Sequence, residues 1–186
     1  MKAILDKKAI NIAYAAAGPK HGDMKRPILY HVAIGNSEIV ATDGFMLARR
    51  TVMTEPEEGE VILIDAKSLL EAHKLLKGGQ LIIETQGDGK SASLTSDAEN
   101  KGALNISIAV NLYDGKFPDY KPALPKTERL AYVSLQARLV AKILKATSAD
   151  GGIAIKMNVR TPTSPVEFHI DEADVYLMPY YVPEDA

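Results

Sequence analysis

The sequence has no cysteine among its 186 residues and no long apolar run. Without cysteine the chain can form no disulfide, no thiolate nucleophile and no cysteine-based zinc site, and this composition suits a reducing compartment. No stretch approaches the roughly 18 uncharged apolar residues of a membrane-spanning helix, and Met1–Gly18 carries lysines where a signal peptide would have its apolar core. These absences predict a soluble cytoplasmic protein.

Neither sign of charge dominates. Lysine and arginine number 22, aspartate and glutamate 24, and the net charge at pH 7 is −2. Any contact with nucleic acid must therefore come from local segregation of basic residues. The chain is 46% hydrophobic, which is enough to bury a substantial core in one domain or two small ones.

Three segments resemble one another, and each runs a short apolar strand into an amphipathic helix. They are MKAILDKKAINIAYAAAG, GEVILIDAKSLLEAHKLLKGG and RLAYVSLQARLVAKILKATS. Asp6, Asp65 and Ser134 stand where an N-cap side chain would accept a hydrogen bond from the first helical turn. Apolar residues then follow at steps of three and four, for example Leu69, Ala72 and Leu76, which predicts one buried face per helix.

After each helix the apolar period changes from 3.6 to 2, which predicts short strands joined by turns. Each unit therefore reads β-α-β-β-β, with copies at about 1–58, 59–125 and 126–186. The predicted fold is α+β, with helices on one face of antiparallel sheets. The proline-rich segment FPDYKPALPKTE predicts a stiff connector between a two-unit domain, 1–125, and a third unit, 126–186.

Basic residues recur on the predicted helices, away from their apolar faces. A row of cations on a helix can neutralise phosphates without reading bases, whereas a single such helix is more often an ordinary solvated face. Three helices at equivalent positions of a repeat bring these two interpretations close to balance. The candidate DNA-binding residues are Lys7, Lys8, Lys67, Lys74, Lys77, Arg138, Lys142 and Lys145.

Nothing in the sequence indicates catalysis, a cofactor or a metal. GDGKS ends like a phosphate-binding loop, but Glu84 stands where that loop needs glycine, and a strand follows instead of a helix. The cluster His169 to Asp174 offers oxygen and imidazole ligands, yet a polar hairpin explains it better. No serine lies in a nucleophile motif such as G-x-S-x-G.

The stretch ATDGFMLARR, 41–50, joins an Asp-Gly turn signal to bulky apolar residues. We expect the turn to follow the last strand of the first unit. Strict alternation after it would direct Phe45 and Leu47 to one side and Met46 to the other, so at least one large apolar side chain is expected to stay partly exposed.

In this order, ATDG with LA two residues later, FPDY with LP further on, and LMP near the C-terminus resemble the bacterial sliding clamp, the beta subunit of DNA polymerase III. The resemblance spans nearly the whole chain but only part of the family's length. It implies a non-enzymatic processivity factor whose ring encloses duplex DNA, with helices lining the hole and sheets outside.

The resemblance also implies a groove between two domains that takes a short apolar peptide from a DNA polymerase or another replication protein. Family members usually have a His-Arg pair where this chain has Phe45 and Met46, so its groove would be more apolar. Carried over by position, the groove residues are Leu29, Thr42, Gly44, Phe45, Met46, Leu47, Pro118, Ala123, Leu124, Tyr176, Leu177, Met178, Pro179 and Tyr180.

Length sets this chain apart, because the family ring has twelve repeat units and this sequence offers three. A homo-oligomer is expected, and four chains would complete the count. A rival interpretation keeps the fold without the ring, as an adaptor or decoy that binds clamp-interaction peptides. The last alternative is a metal-dependent enzyme using Asp43, Asp119 or the cluster from His169 to Asp174.

Overall fold

The computed structural model describes residues 1–18, 26–56, 58–76, 79–97, 106–124, 133–147, 155–170 and 173–179. The chain divides into two compact units, Met1–Ala123 and Leu124–Ala186, and each is described by itself. Within the described residues no helix is both long enough and apolar enough to cross a membrane.

The first unit contains two α-helices, nine strands and two short 3-10 helices among its described residues. They follow in the order β1 (Lys2–Leu5), α1 (Lys7–Ala16), 3-10 (Pro27–Tyr30), β2 (His31–Gly35), β3 (Glu38–Thr42), β4 (Leu47–Thr51), β5 (Met53–Glu55), β6 (Ile62–Asp65), α2 (Ala66–Leu75), β7 (Leu81–Thr85), β8 (Ser91–Ser96), β9 (Ile108–Asn111) and 3-10 (Lys121–Ala123).

The two repeats of this unit exchange their first strands. One antiparallel sheet has the order β5-β1-β7-β8-β9 and the other β4-β3-β2-β6. Thus β1, from the first repeat, pairs with β7 of the second, and β6, from the second repeat, pairs with β2 of the first. Neither repeat completes a sheet alone, so the two form one folding unit. The predicted antiparallel α+β class is confirmed.

Both predicted N-caps of this unit are confirmed. Asp6 Oδ1 accepts a hydrogen bond from the Ala9 amide at 2.7 Å, and Asp65 Oδ1 accepts one from the Ser68 amide at 2.7 Å. Each bond satisfies an amide that has no partner within the first helical turn. The buried faces follow the apolar spacing: Ala9, Ile10, Ala13 and Ala16 on α1, and Ala66, Leu69, Ala72 and His73 on α2.

Helices α1 and α2 contact each other and cover one face of the sheets, and this layer forms the main core. Along each strand, every second side chain points into this core. Ile34 on β2 and Ile83 on β7 have no exposed surface. Burial of such side chains contributes about 1.5–3 kcal/mol each, so this shared layer explains why the two repeats hold together.

The second unit contains α3 (Ala137–Thr147) and one antiparallel sheet, β10 (Lys156–Asn158), β11 (Val166–Ile170) and β12 (Ala173–Leu177), in that order. Val166, Phe168 and Leu177 are buried beneath Leu135, Leu139 and Ile143. The helix begins later than a cap at Ser134 would require. In its first turn, the amides of Leu139 and Val140 donate to the Gln136 carbonyl at 2.9 and 3.2 Å.

Two local expectations are wrong in Met1–Ala123. The stretch ILYHVAIG, 28–35, predicts one strand after the first helix, but Ile28 to Tyr30 form a 3-10 helix. Pro27 fixes its φ at the first position of that helix and has no amide to donate to a sheet. The Asp-Gly turn joins β3 to β4, whereas it was expected to follow the last strand of the first repeat, 1–58. Within the segment predicted as a connector, Lys121–Ala123 form a 3-10 helix at the end of the first unit.

Candidate functional site

The turn from Asp43 to Met46 is closed by hydrogen bonds from its own side chains. Asp43 Oδ1 accepts from the amides of Phe45 and Met46 at 2.8 and 2.6 Å. Thr42 Oγ1 donates to the Met46 carbonyl at 2.7 Å and accepts from the Gly44 amide at 3.0 Å. Gly44 has φ +93°, a conformation that costs glycine little and other residues much more. The chain at this tip is therefore held in one shape.

The expected alternation over Phe45, Met46 and Leu47 is wrong, because only Leu47 lies in a strand. Phe45 is completely exposed and Met46 is 46% exposed. Asp43 captures the two amides that would otherwise have continued the strand, since short acidic side chains compete with backbone hydrogen bonding. Two large apolar side chains are thereby presented to solvent on a fixed turn.

Ionised Asp43 is the form that this turn stabilises. The hydrogen bond from the Met46 amide is the largest influence and lowers the pKa of the carboxyl; partial burial opposes this, and the Phe45 amide adds to the lowering. Hydrogen bonds donated to a carboxylate favour its charged state. The turn is thus built for neutral pH.

Beside the turn, the outer face of the sheet β4-β3-β2-β6 carries a second apolar cluster. Ala33, Val40 and Leu63 are buried there. The partly buried residues that cover them are Ile28, Leu47, Tyr113, Phe117 and Tyr120. The segment that the sequence predicts as a linker therefore begins as a cover over this face. Its aromatic residues were missed, although strands apolar on both faces indicate that both faces are covered.

A polar network fixes this cover. The Tyr120 hydroxyl donates a hydrogen bond to Glu38 Oε1, and Arg49 Nε lies 2.8 Å from the other carboxylate oxygen. Burial, followed by the bond to Glu38, raises the pKa of Tyr120 to about 12. Tyr120 and Glu38 border a cavity of about 860 Å³, which Lys116, Pro118 and Asp119 also line.

The remaining groove residues predicted in 1–124 lie on several elements. Leu29 is half-buried in the first 3-10 helix, while its neighbour Ile28 joins the outer cluster. Pro118 is exposed and borders the cavity, and Ala123 is exposed at the end of the second 3-10 helix. Leu124 is half-buried and falls within the second unit. The other predicted groove residues of 1–124 belong to the turn or adjoin it; they are Thr42, Gly44, Phe45, Met46 and Leu47.

The predicted groove residues of the tail follow the alternation of β12. Tyr176 is 59% and Met178 64% exposed, whereas Leu177 is buried in the core of the second unit. The Tyr176 hydroxyl donates to Glu167 Oε1 at 3.2 Å. Pro179 is half-buried, and Tyr180 lies outside the described residues. Leu177 therefore stabilises the core of the second unit, whereas Tyr176 and Met178 form part of its surface.

The candidate DNA-binding cations lie on the solvent faces of the helices. All seven described members of the set are exposed, and Lys77 lies outside the described residues. The three described helices carry a single acidic residue, Glu71, whose carboxylate lies 3.6 Å from Lys67. On α3, Arg138 Nε donates to Gln136 Oε1 at 3.0 Å. Positive charge is thus concentrated on the helices of a slightly acidic chain.

The carboxylates considered for metal binding have structural partners. Asp119 accepts from the Lys121 amide at 3.1 Å, and His169 Nδ1 lies 2.5 Å from Asp174 Oδ1. In the part of the chain that the structure describes, no three histidine, aspartate or glutamate side chains cluster as metal ligands. Asp171 and Glu172 lie outside that part. Asp88 similarly holds the GDGKS hairpin, accepting from the Lys90 amide at 2.9 Å.

Comparison with solved structures defines the class of fold: it is that of the bacterial DNA sliding clamps. Neither family models nor curated proteins match the sequence. The likeness is therefore one of structure.

Three solved structures illustrate the similarity. The sliding clamp of Bacillus subtilis is 18% identical with a TM-score of 0.69, and 96% of this chain covers 49% of that one. The Caulobacter crescentus polymerase III beta is 16% identical with a TM-score of 0.67, and the match covers 98% of this chain and 51% of that one. The Bartonella birtlesii clamp, solved bound to griselimycin, is 20% identical with a TM-score of 0.67, and the match covers 98% of this chain and 52% of that one. This chain thus spans about half the length of the clamps it matches.

Proposed function

We propose that this protein is a sliding-clamp-like processivity factor that contacts or encircles duplex DNA and tethers replication proteins through short apolar peptides. It would work without catalysis or a cofactor, in the cytoplasm. The observation that carries the proposal is the Asp43–Met46 turn, which presents Phe45 fully exposed on a clamp fold. Phe45 and Met46 are adjacent and exposed on this fixed turn, and contiguous exposed apolar surface is typical of a surface used for binding.

The helical cations support the DNA side. Lysines and arginines on helix surfaces attract phosphates without reading sequence, and such interactions break and re-form easily as the protein moves. Seven exposed cations against one acidic residue give the helices a net attraction for DNA that the whole chain lacks. Loose, sequence-independent binding is what a sliding protein requires.

Burial of apolar surface would drive peptide binding. Two or three aliphatic or aromatic anchors contribute about 1.5–3 kcal/mol each on burial, and ordering an extended peptide offsets part of this. The expected affinity is about micromolar. Met46 adds a side chain that adapts to different anchors. In the second unit, exposed Tyr176 and Met178 offer apolar surface of the same kind.

A peptide titration tests this side. A fluorescent peptide with Gln-Leu and Leu-Phe anchors is titrated with the wild type, Phe45→Ala and Met53→Ala. Met53 is 60% exposed on β5 and serves as the matched control. We expect Phe45→Ala to weaken binding at least about tenfold, with an unchanged unfolding midpoint, and Met53→Ala to bind as the wild type. Equal affinities, or unfolding of Phe45→Ala, would contradict the assignment.

A second function is favoured by the same turn, because Phe45 is presented by the first unit alone. A protein that only occupies clamp-interaction peptides, as an adaptor or decoy, would need no ring and no DNA. Such a protein would give the same peptide affinities for the wild type and for both variants. The two functions differ in whether the protein stays on circular DNA.

A further inference from the structure

A segment of irregular chain, 113–120, which we call the cover segment, lies over the outer apolar cluster of the first unit. Hydrogen bonds attach it to the sheet at both ends. At its start the Tyr113 amide donates to the Leu63 carbonyl at 2.9 Å. At its end the Tyr120 hydroxyl donates to Glu38 Oε1. The chain between these two points is therefore suspended from its ends.

The middle of the cover segment has little packing to hold it. Every residue from 114 to 119 is exposed except Phe117. The cavity of about 860 Å³ is lined by Phe117 and Pro118 of the segment and by Ala33 and Val40 of the sheet. Space thus remains between the two, so the position of the segment depends on the attachments at its ends.

The acceptor of the Tyr120 bond is itself held in place. Arg49 Nε lies 2.8 Å from Glu38 Oε2, the carboxylate oxygen that Tyr120 does not use. The Glu38 side chain is only 21% exposed. Hydrogen bonds to a charged acceptor are about twice as strong as those between neutral groups. Glu38 is therefore a firm point of attachment for the end of the cover segment.

The attachment point belongs to the hairpin that carries the Asp43–Met46 turn. Glu38 begins β3, Arg49 lies in β4, and the turn joins these two strands. Leu47, the first residue of β4 after the turn, packs on the same outer cluster as Tyr120. The cover segment and the exposed turn are thus fixed to the same pair of strands.

We infer that Tyr120 is a positioning residue of the peptide surface: its hydroxyl, bound to Glu38, keeps the cover segment and its Pro118 in place on the hairpin that presents Phe45. The inference rests on the proposed function for its ligand, a short apolar peptide. A peptide that contacts Phe45 and Pro118 binds the form with the segment attached, so its apparent affinity falls with the fraction of protein in that form. Tyr120 acts on this fraction and need not contact the peptide.

Attachment is measured on the full chain with no peptide present. Tyr120→Phe keeps the ring in the cluster and removes the bond to Glu38. Trypsin should then cleave after exposed Lys116 at least about threefold faster than in the wild type, because cleavage follows the population of the opened segment. Cleavage after exposed Lys90, in another hairpin, is the internal reference and should keep its rate. Tyr113→Phe is the matched control, since it removes a hydroxyl from the same cluster and leaves the bond to Glu38 intact.

Peptide affinity is measured with the fluorescent peptide that carries Gln-Leu and Leu-Phe anchors. Tyr120→Phe should raise the dissociation constant at least about threefold, and Tyr113→Phe should leave it unchanged. Glu38→Ala should also weaken binding, and adding Tyr120→Phe to it should weaken binding no further, because both changes remove one bond. A residue that only stabilised the core would lower the unfolding midpoint and leave the affinity of the folded protein unchanged.

Cleavage after Lys116 at the wild-type rate in Tyr120→Phe would overturn the inference. So would wild-type affinity in that variant, equal losses in Tyr120→Phe and Tyr113→Phe, or additive effects of Tyr120→Phe and Glu38→Ala. A wild type that does not bind the peptide would contradict the proposed function instead, and the cleavage rates would still decide whether the Tyr120 hydroxyl holds the cover segment.

Discussion

At the scale of single residues, the behaviour of Phe45 is decided by its neighbour Asp43. Because the carboxylate accepts the amides of Phe45 and Met46, the chain turns before the apolar residues can enter a strand. An aspartate that holds a turn by accepting backbone amides is stabilising when ionised. The exposed phenylalanine is therefore a product of local hydrogen bonding, with no contribution from core packing.

Acid should loosen this turn. The pKa of Asp43 is lowered from its usual 3.8. The stabilisation that the ionised carboxylate gives the turn is therefore complete above pH 3.8 and is lost as the pH falls through the lower pKa of the folded state. We expect the amide resonances of Phe45 and Met46 to titrate together by NMR, with a midpoint below 3.8.

Two substitutions at this position check the cause. Asp43→Asn keeps an acceptor oxygen, so the turn should persist and its amides should cease to titrate. Asp43→Ala removes the acceptor, and peptide binding should fall with it. A midpoint at or above 3.8 in the wild type would mean that the hydrogen bonds do not stabilise the charged form.

The sequence predicts Phe45 as a surface residue, but for a partly wrong reason. Alternation along a strand was expected to leave at least one large apolar side chain partly exposed, whereas a turn, and no strand, exposes both Phe45 and Met46. Pattern alone did not predict the turn's extent, because a single Asp-Gly signal does not show which amides the carboxylate takes. Tyr120 and Phe117 were missed in the same way, since a proline-rich segment reads as a connector until the sheet beneath it is known.

At the scale of elements, the helices were predicted better than the sheets. Caps at Asp6 and Asp65 and the buried faces of α1 and α2 follow directly from local spacing. The exchange of β1 and β6 between repeats could not be predicted, because periodicity identifies which face of a strand is buried and gives no information about which strand lies beside it. Pairing of this kind is decided by the packed core.

The helices are also the elements that should meet DNA. Replacing Arg138 and Lys142 with glutamine should weaken duplex binding similarly on any sequence. The slope of log K against log salt should fall by about 0.9 for each phosphate that the variant no longer neutralises. Filter binding or fluorescence anisotropy at several salt concentrations measures this slope.

Lys90→Gln is the matched control for these changes. Lys90 is exposed in the hairpin between β7 and β8, so removing it takes away one charge without touching a helix. Its salt slope should equal that of the wild type. Lys142→Gln alone also removes one charge and is the direct comparison. If Lys90→Gln reduces binding as much as Lys142→Gln, then overall charge attracts the DNA and the helical surface has no special role.

At the scale of the whole molecule, the number of chains matters more than any one surface. The resemblance implies a ring of twelve repeat units, which four chains of three repeats would supply under the proposed function. The sequence predicts the repeats because each carries its own pattern. It cannot predict how many copies assemble, because that depends on surfaces that no local pattern describes.

Retention on circular DNA tests the central claim most directly. The protein is diluted to separate its chains, concentrated in the presence of a nicked circular duplex, and passed through a sizing column at salt high enough to remove simple electrostatic binding. We predict that protein elutes with the circles and is released once a restriction enzyme cuts them. Equal elution with circular and linear DNA would contradict a protein that encircles its duplex.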